Sequence, residues 1–292
     1  MSRIRKAVFP AAGIGSRFLP ITKTAPKEML PLVDRPLIQY VVEEAVAAGI
    51  EQIILVTNYA KRAIEDYFDT NFELETHLAQ QNKMQALNLV RSIVPDSVDV
   101  IYVRQPQPLG LGDAVLRSRS VVGNEPFAVL LADDIILNHR DNCLQQMLRV
   151  FDKTQSSVLA IEKVAQSETH KYGIVKTNND TENRVIDMIE KPAPGTVLSN
   201  KAVVGRYLLT PDIFPLLERT KRGAGGEIQL TDAIRAQLQQ RDVHACLFEG
   251  ERFDCGSKAG FVKATISQAL RREDLADEIK AFLREEVMLE TA

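Results

Sequence analysis

The chain has 292 residues, 45% of them hydrophobic and 26% charged. That balance excludes a disordered polymer and suffices for one large α/β domain, or a domain with a substantial insertion. A formal net charge of −3 argues against a general nucleic-acid binder but leaves room for a local basic pocket around a small phosphorylated ligand.

Residues 7–10 read as a buried first strand. The basic residues before it lead into an apolar run far shorter than the about 7–15 residues of an export signal. Elsewhere no apolar run reaches the roughly 18 residues of a membrane helix, so a cytoplasmic protein is expected. Residues 37–48 carry apolar side chains at helical spacing, and Gly49 stops that helix. A second strand is expected over 51–57, a polar helix over 61–81, a third strand over 99–104 and a helix over 114–121. Residues 127–131 are continuously apolar, as a parallel strand covered on both faces must be. The alternation implies βαβ units, right-handed crossovers and helices on both faces. Ligands in such sheets bind beyond the carboxyl ends of the strands. Residues 11–17, 105–113 and 133–134 follow strands and are therefore expected to meet on one edge.

Beyond about residue 155 the pattern changes. Strands over 158–162, 173–176, 185–190 and 203–209 have short connections and suggest a mixed or antiparallel extension. Residues 223–226 read as a flexible loop, 229–239 as a helix, 245–248 as the last strand, and 258–271 and 275–286 as C-terminal helices. The three cysteines, Cys143, Cys246 and Cys255, form no C-x-x-C pair, which fits reduced, packed thiols. His77, His139, His170 and His244 do not cluster as zinc ligands.

Ala11-Ala12-Gly13-Ile14-Gly15-Ser16-Arg17 follows the first strand. Its glycines let backbone N–H groups approach phosphate oxygens, and Arg17 adds a cationic fork; by itself the loop is also consistent with a plain turn. The dinucleotide fingerprint fails, because Phe18 stands where the third glycine belongs, and no Walker lysine is present. Pro26-Lys27-Glu28-Met29-Leu30-Pro31 comes soon after, and Lys27 is placed to reach the same phosphates.

Together these two segments resemble the N-terminal signature of the sugar-1-phosphate nucleotidyltransferases. The Ala-Ala-Gly opening and the P-K-E-M-L-P form are similar to the bacterial UTP–glucose-1-phosphate uridylyltransferase family. The resemblance continues to Ser257. Residues 105–114 (QPQPLGLGDA) resemble the family's base-recognition loop, which implies that Gln105, carrying both a donor and an acceptor, and Gly110 pair with uracil. Asp133, after Leu131-Ala132, and Asp254, in Phe253-Asp254-Cys255-Gly256, match the family's metal-binding carboxylates. Asp134 reads as a loop or capping residue. Tyr172-Gly173-Ile174-Val175, Glu190-Lys191-Pro192 and Val204-Gly205-Arg206-Tyr207 resemble the sugar-phosphate site, and residues 225–232 a segment that shapes it. Departures are Pro106-Gln107-Pro108, where small or basic residues are more frequent, and Ala132, where proline is frequent. Neither removes a functional group.

The resemblance implies an α/β, Rossmann-like nucleotidyltransferase fold with a mixed central sheet and an elaborated sugar-binding second half. It implies one domain over 1–292: a nucleotide-binding part to 155, a sugar-phosphate part over 156–257, and C-terminal helices over 258–292. UTP and glucose 1-phosphate would give UDP-glucose and pyrophosphate by direct displacement. Mg²⁺ would be held by Asp133 and Asp254, and the phosphates met by Arg17, Lys27 and Lys191. The nucleotide would lie on Ala12, Gly13, Glu28, Gln105 and Gly110, and the sugar on Gly173, Glu190 and Gly205. Neither nucleic acid nor membrane is an expected partner; a homo-oligomer, dimer or tetramer, is. A UDP-sugar-dependent glycosyltransferase would more often carry D-x-D, where this chain has Asp133-Asp134-Ile135. A non-catalytic homologue would be expected to have lost Asp133, Arg17 or Lys191, and all three are present.

Overall fold

The computed structural model describes residues 3–138, 140–178 and 183–290, so His139 lies outside the described residues. In chain order, the first half runs β1 (Lys6–Pro10), β2 (Pro31–Leu32), β3 (Arg35–Pro36), α1 (Leu37–Ala47), β4 (Gln52–Thr57), α2 (Arg62–Phe68), α3 (Phe72–Gln80) and α4 (Met84–Arg91). It continues with β5 (Asp99–Arg104), α5 (Leu111–Arg117), α6 (Arg119–Val122), β6 (Phe127–Leu130), β7 (Asp134–Leu137) and α7 (Cys143–Thr154). The second half comprises β8 (Ser157–Lys163), β9 (Gly173–Thr177), β10 (Val185–Glu190), β11 (Lys201–Leu209), α8 (Ile213–Arg219) and α9 (Leu230–Gln237). It ends with β12 (Val243–Leu247), β13 (Glu251–Asp254), α10 (Lys258–Arg271) and α11 (Ala276–Glu290).

Among the described residues nine strands form one mixed sheet. The strands β6, β1, β4 and β5 are parallel neighbours, as the apolar runs predict. Strand β11 reverses direction and joins the two halves. Its C-terminal end pairs with β6, its N-terminal end with β9, and its other edge with β8. Between Val203 and Tyr207 its register against β8 shifts, a bulge that re-aims Gly205 and Arg206.

Alternation along each strand sends side chains to two apolar cores. Ala7, Phe9, Ile53, Leu55, Ala128 and Leu130 face one core, which α1, α2, α7 and α10 cover. Val8, Ile54, Val56, Phe127 and Val129 face the other, covered by α5, α8 and α9. There Phe127 stacks on Phe214 with ring centroids 5.1 Å apart.

Several boundaries differ from the sequence reading for local reasons. The polar stretch expected as one helix over 61–81 is two helices, because Asn71 accepts a hydrogen bond from Leu74 N (3.0 Å) and starts α3 anew. The sequence reading passes over α4, α7 and α8. Yet α7 opens on a capping box of Asn142 and Gln145, and Leu144, Met147 and Phe151 recur on its buried side. The helix expected from residue 114 begins at Leu111. Residues 223–226 form a closed turn, with Gly223 N donating to Glu227 O (2.8 Å). The strand expected to be last, β12, is followed by β13, which pairs antiparallel with β7. Among the described residues no helix is long and apolar enough to cross a membrane.

Candidate active site

Because β1, β4, β5 and β6 run parallel, the segments that leave their carboxyl ends share one edge. They border a cleft of about 640 Å³, and every functional residue singled out from the sequence lines it. The cleft has three chemically distinct parts.

One part of the lining comprises Ala12, Gly13, Glu28, Gln105 and Gly110. The loop after β1 is tied down at Ala12, whose carbonyl accepts from Asn58 Nδ2 (2.7 Å), a residue just beyond β4. Gln105 is 4% exposed. Its amide nitrogen donates to Gly110 O (3.1 Å) and Asp113 Oδ2 (2.8 Å). With both amide hydrogens used, the side chain offers only its carbonyl oxygen, an acceptor that suits an imide N–H. Gly110 has φ +100°, and a β-carbon there would lie 2.6 Å from Glu227 Cβ and 3.0 Å from Ile228 O. Only glycine permits that approach. Ile228 N donates to Leu109 O (2.7 Å) and Gly112 N to Ile228 O (2.8 Å). The segment before α9 is thereby stitched to the loop between β5 and α5.

In the middle lie Arg17, Lys27, Asp133 and Asp254. The short strands β7 and β13 bring the two carboxylates together: Asp254 pairs in register with Asp134, and Cys255 N donates to Asp133 O (2.8 Å). Lys27 Nζ lies 2.6 Å from Asp133 Oδ2. Burial by itself would raise the Asp133 pKa, but the Lys27 ammonium outweighs it and holds the carboxyl below its usual range. Burial likewise works against the charged Lys27, and Asp133 with Glu28 overcomes it, so the Lys27 pKa is raised. Arg17 Nη1 donates to Gly256 O (3.0 Å). A β-carbon on Gly256 would lie 3.0 Å from both Asp133 Oδ2 and Asp254 Oδ1, and 3.1 Å from Arg17 Nη1. Two hard carboxylate oxygens thus border one small cradle that opens to the cleft. Among the described residues no group of three or more His, Cys, Asp or Glu side chains forms a closed metal site. The donor set therefore fits a hard divalent cation that takes its remaining ligands from phosphate and water.

Asp134 does different work. It is 6% exposed, and its oxygens accept from Arg252 Nη2 (2.6 Å), Arg252 Nε (2.8 Å) and Gly205 N (2.7 Å). Arg252 also pairs with Glu162 (2.5 Å) and lies over the Tyr172 ring, 5.3 Å from its centroid. Beneath them Arg206 is wholly buried. It reaches Glu44 Oε2 (2.7 Å), Asp134 O (2.8 Å) and Leu131 O (3.2 Å). Each of these buried charges has a partner, and together they clamp the loop that carries Asp133.

At the far end, Gly173 and Glu190 face each other across β9 and β10. Glu190 Oε2 accepts from Thr231 Oγ1 (2.7 Å), and Glu190 Oε1 lies 3.6 Å from Lys191 Nζ. Lys191 has φ +41°, unusual for a residue with a side chain and more so before a proline. The bond from its N–H to Tyr172 O (3.0 Å) holds it there. Strain of this kind concentrates at working sites, and here it presents an exposed ammonium at the mouth of the cleft. Gly205 has its N–H on Asp134 and its carbonyl on Leu131 N (2.9 Å), so it contributes space.

Sequence reasoning missed Asn58, Lys61 and Arg252, and read Thr231 only as part of a shaping segment. The first two had a topological signal, since β4 also ends on this edge; Arg252 had only its nearness to Asp254. All three cysteines are buried. Burial pushes the Cys255 thiol up to about 12, so its contribution to the site is its backbone.

The Nucleotidyl transferase family model matches residues 6–269. The UTP–glucose-1-phosphate uridylyltransferase of Bacillus subtilis is 48% identical over 285 residues, 97% of each chain. A UTP-bound UGPase from Acinetobacter baumannii superimposes with a TM-score of 0.91 at 46% identity, covering 97% of this chain and 99% of that one. A UDP-glucose pyrophosphorylase complexed with UDP-glucose gives 0.85 at 48% identity, covering 92% of this chain and 100% of the other.

Proposed function

This chain belongs to the nucleotidyl transferase family, on its UTP–glucose-1-phosphate uridylyltransferase branch, and from that premise we propose how its cleft joins UTP to glucose 1-phosphate, giving UDP-glucose and pyrophosphate. The observation that carries the residue roles is the meeting of three groups in one cleft: an amide with only an acceptor to offer, two carboxylates around the Gly256 cradle, and Lys191 beside Glu190.

A phosphate oxygen of glucose 1-phosphate forms a bond to the α-phosphorus of UTP. The bond from that phosphorus to the bridging oxygen breaks, and pyrophosphate leaves with its electron pair. No protein nucleophile takes part, so the protein contributes alignment and charge. Asp133 and Asp254 would hold a divalent cation, Mg²⁺ in our reading, which when bound neutralises phosphate charge. Arg17 and Lys27 steady the α-phosphate and the departing pyrophosphate. Lys191 orients the attacking phosphate and offsets its repulsion from the nucleotide. Glu190 accepts from sugar hydroxyls, with Gly173 and Gly205 keeping the sugar end clear. Ala12, Gly13, Glu28, Gln105 and Gly110 receive the uridine.

We further read residues 1–292 as one domain with a nucleotide part to 155, a sugar-phosphate part over 156–257 and C-terminal helices. We place it in the cytoplasm as a dimer or tetramer. The test is pyrophosphate release from UTP and glucose 1-phosphate with Mg²⁺, beside dTTP and galactose 1-phosphate. UTP- and glucose-selective release that EDTA abolishes is the expected result. Release favouring dTTP would overturn the base assignment, and a folded protein that releases none would overturn the reaction.

A further inference from the structure

Glu28, which lines the cleft, forms an ion pair closed to solvent with Lys61. Glu28 is 1% exposed and Lys61 4%. Lys61 Nζ lies 2.8 Å from Glu28 Oε2. The other carboxylate oxygen, Oε1, is buried and has no hydrogen-bond partner. Such an oxygen is costly to keep without a donor. Glu28 lines the same cleft as Ala12, Gly13 and Gln105, and Lys61 is not among the residues that line it. Lys27, the other nearby cation, is engaged with Asp133.

We propose that Lys61 is a positioning residue for nucleoside recognition, holding Glu28 ionised and aimed so that Oε1 accepts a hydrogen bond from an N–H or O–H of the uridine of UTP. The inference rests on the uridylyl-transfer reading above. Burial raises the Glu28 pKa above its ordinary value, and Lys27 and Lys61 limit that rise without cancelling it. Without Lys61, the carboxyl is pushed towards its neutral form. A neutral carboxyl can turn its own proton into the cleft and act as a donor, so the selection would be lost. With Lys61 present, Glu28 and Gln105 both offer acceptors only. A nucleoside with donors at those places is accepted. Cytosine, with a ring-nitrogen acceptor where uracil carries N3–H, meets acceptor with acceptor. The donor is either the uracil imide N3–H or a ribose hydroxyl, and analogues separate the two.

The test compares wild type with Lys61→Met, Lys61→Arg and the neutral pair Glu28→Gln/Lys61→Met, which stays measurable if an unpaired buried Glu28 prevents the single variant from folding. Steady-state kinetics are run with UTP, 2′-deoxyUTP, 3′-deoxyUTP and N3-methyl-UTP, and UTP binding is titrated by calorimetry. Wild type should disfavour at least one analogue. In Lys61→Met the KM for UTP should rise by about tenfold or more, with kcat and the KM for glucose 1-phosphate within about threefold. Discrimination against that analogue should collapse in Lys61→Met and in the neutral pair, and Lys61→Arg should recover it. Retained discrimination, or equal losses for both substrates, overturns the inference and leaves Lys61 a packing residue. A wild type that releases no pyrophosphate overturns the uridylyl-transfer reading instead. The UTP titration then decides the Lys61 inference by itself: weaker binding in the variants supports it, and equal or no binding overturns it.

Discussion

Lys27 Nζ and Asp133 Oδ2 stand 2.6 Å apart, so a carboxylate proposed to hold a cation is itself held by an ammonium. The two positive groups compete for one oxygen. Lys27→Met should therefore raise the affinity of the nucleotide-free protein for Mn²⁺, by roughly the several-fold that a partly exposed ion pair contributes. The same change should lower turnover by roughly 10²-fold, since Lys27 would no longer meet the phosphates. Mn²⁺ titration followed by electron paramagnetic resonance checks the first effect; unchanged affinity means that the pair does not gate the metal.

The adjacent aspartates should separate cleanly. Asp133→Asn should cut kcat by roughly 10²-fold or more with little loss of stability. Asp134→Asn leaves Arg252 buried without its carboxylate and should cost about 3–5 kcal/mol of stability. Thermal denaturation beside Mn²⁺ binding reads both; a stable Asp134→Asn protein with lost metal affinity would reverse the two assignments.

The sugar end should respond through one substrate. Lys191→Ala removes the ammonium proposed to meet the attacking phosphate and should raise the KM for glucose 1-phosphate by roughly tenfold or more while sparing that for UTP. Thr231→Val removes the 2.7 Å hydrogen bond to Glu190 and should act in the same direction more weakly, by the roughly tenfold or less that one such bond is worth. Kinetics with each substrate varied in turn are the check. Equal effects on the two KM values would place these residues elsewhere in the mechanism.

The thiols should be slow to react in the native protein. Burial pushes Cys143 well above its ordinary value, Cys246 up to about 11 and Cys255 up to about 12. A raised pKa means the protonated thiol prevails at pH 8, and the thiolate is the nucleophile. Absorbance with an aromatic disulfide reagent should show almost no reaction until denaturant exposes all three cysteines. A rapid equivalent in the native state would contradict the packing around at least one of them.

Local chemistry made much of this protein legible without coordinates. A run such as Phe127–Leu130 has no polar side to show solvent, so it had to be a covered central strand. The glycines and Arg17 after β1 are consistent with a phosphate loop as well as a plain turn, and parallel strands placed three segments that follow strands on one edge. The capping pair Asn142 and Gln145 makes the start of α7 legible too.

What the sequence by itself determined, then, was each segment's type and the residue types its loops present, because these depend on neighbours a few positions away. The tertiary structure decided which distant groups meet. The strands β7 and β13 have four residues each and no distinctive period, yet their register sets Asp254 beside Asp133. The bulge in β11 puts Gly205 N–H and the Arg206 guanidinium around Asp134, making it a strut instead of a ligand. Lys61 finds Glu28 because the start of α2 packs against the turn of residues 27–29. Such pairings arise from register and packing between segments far apart in the chain, and no local pattern encodes them.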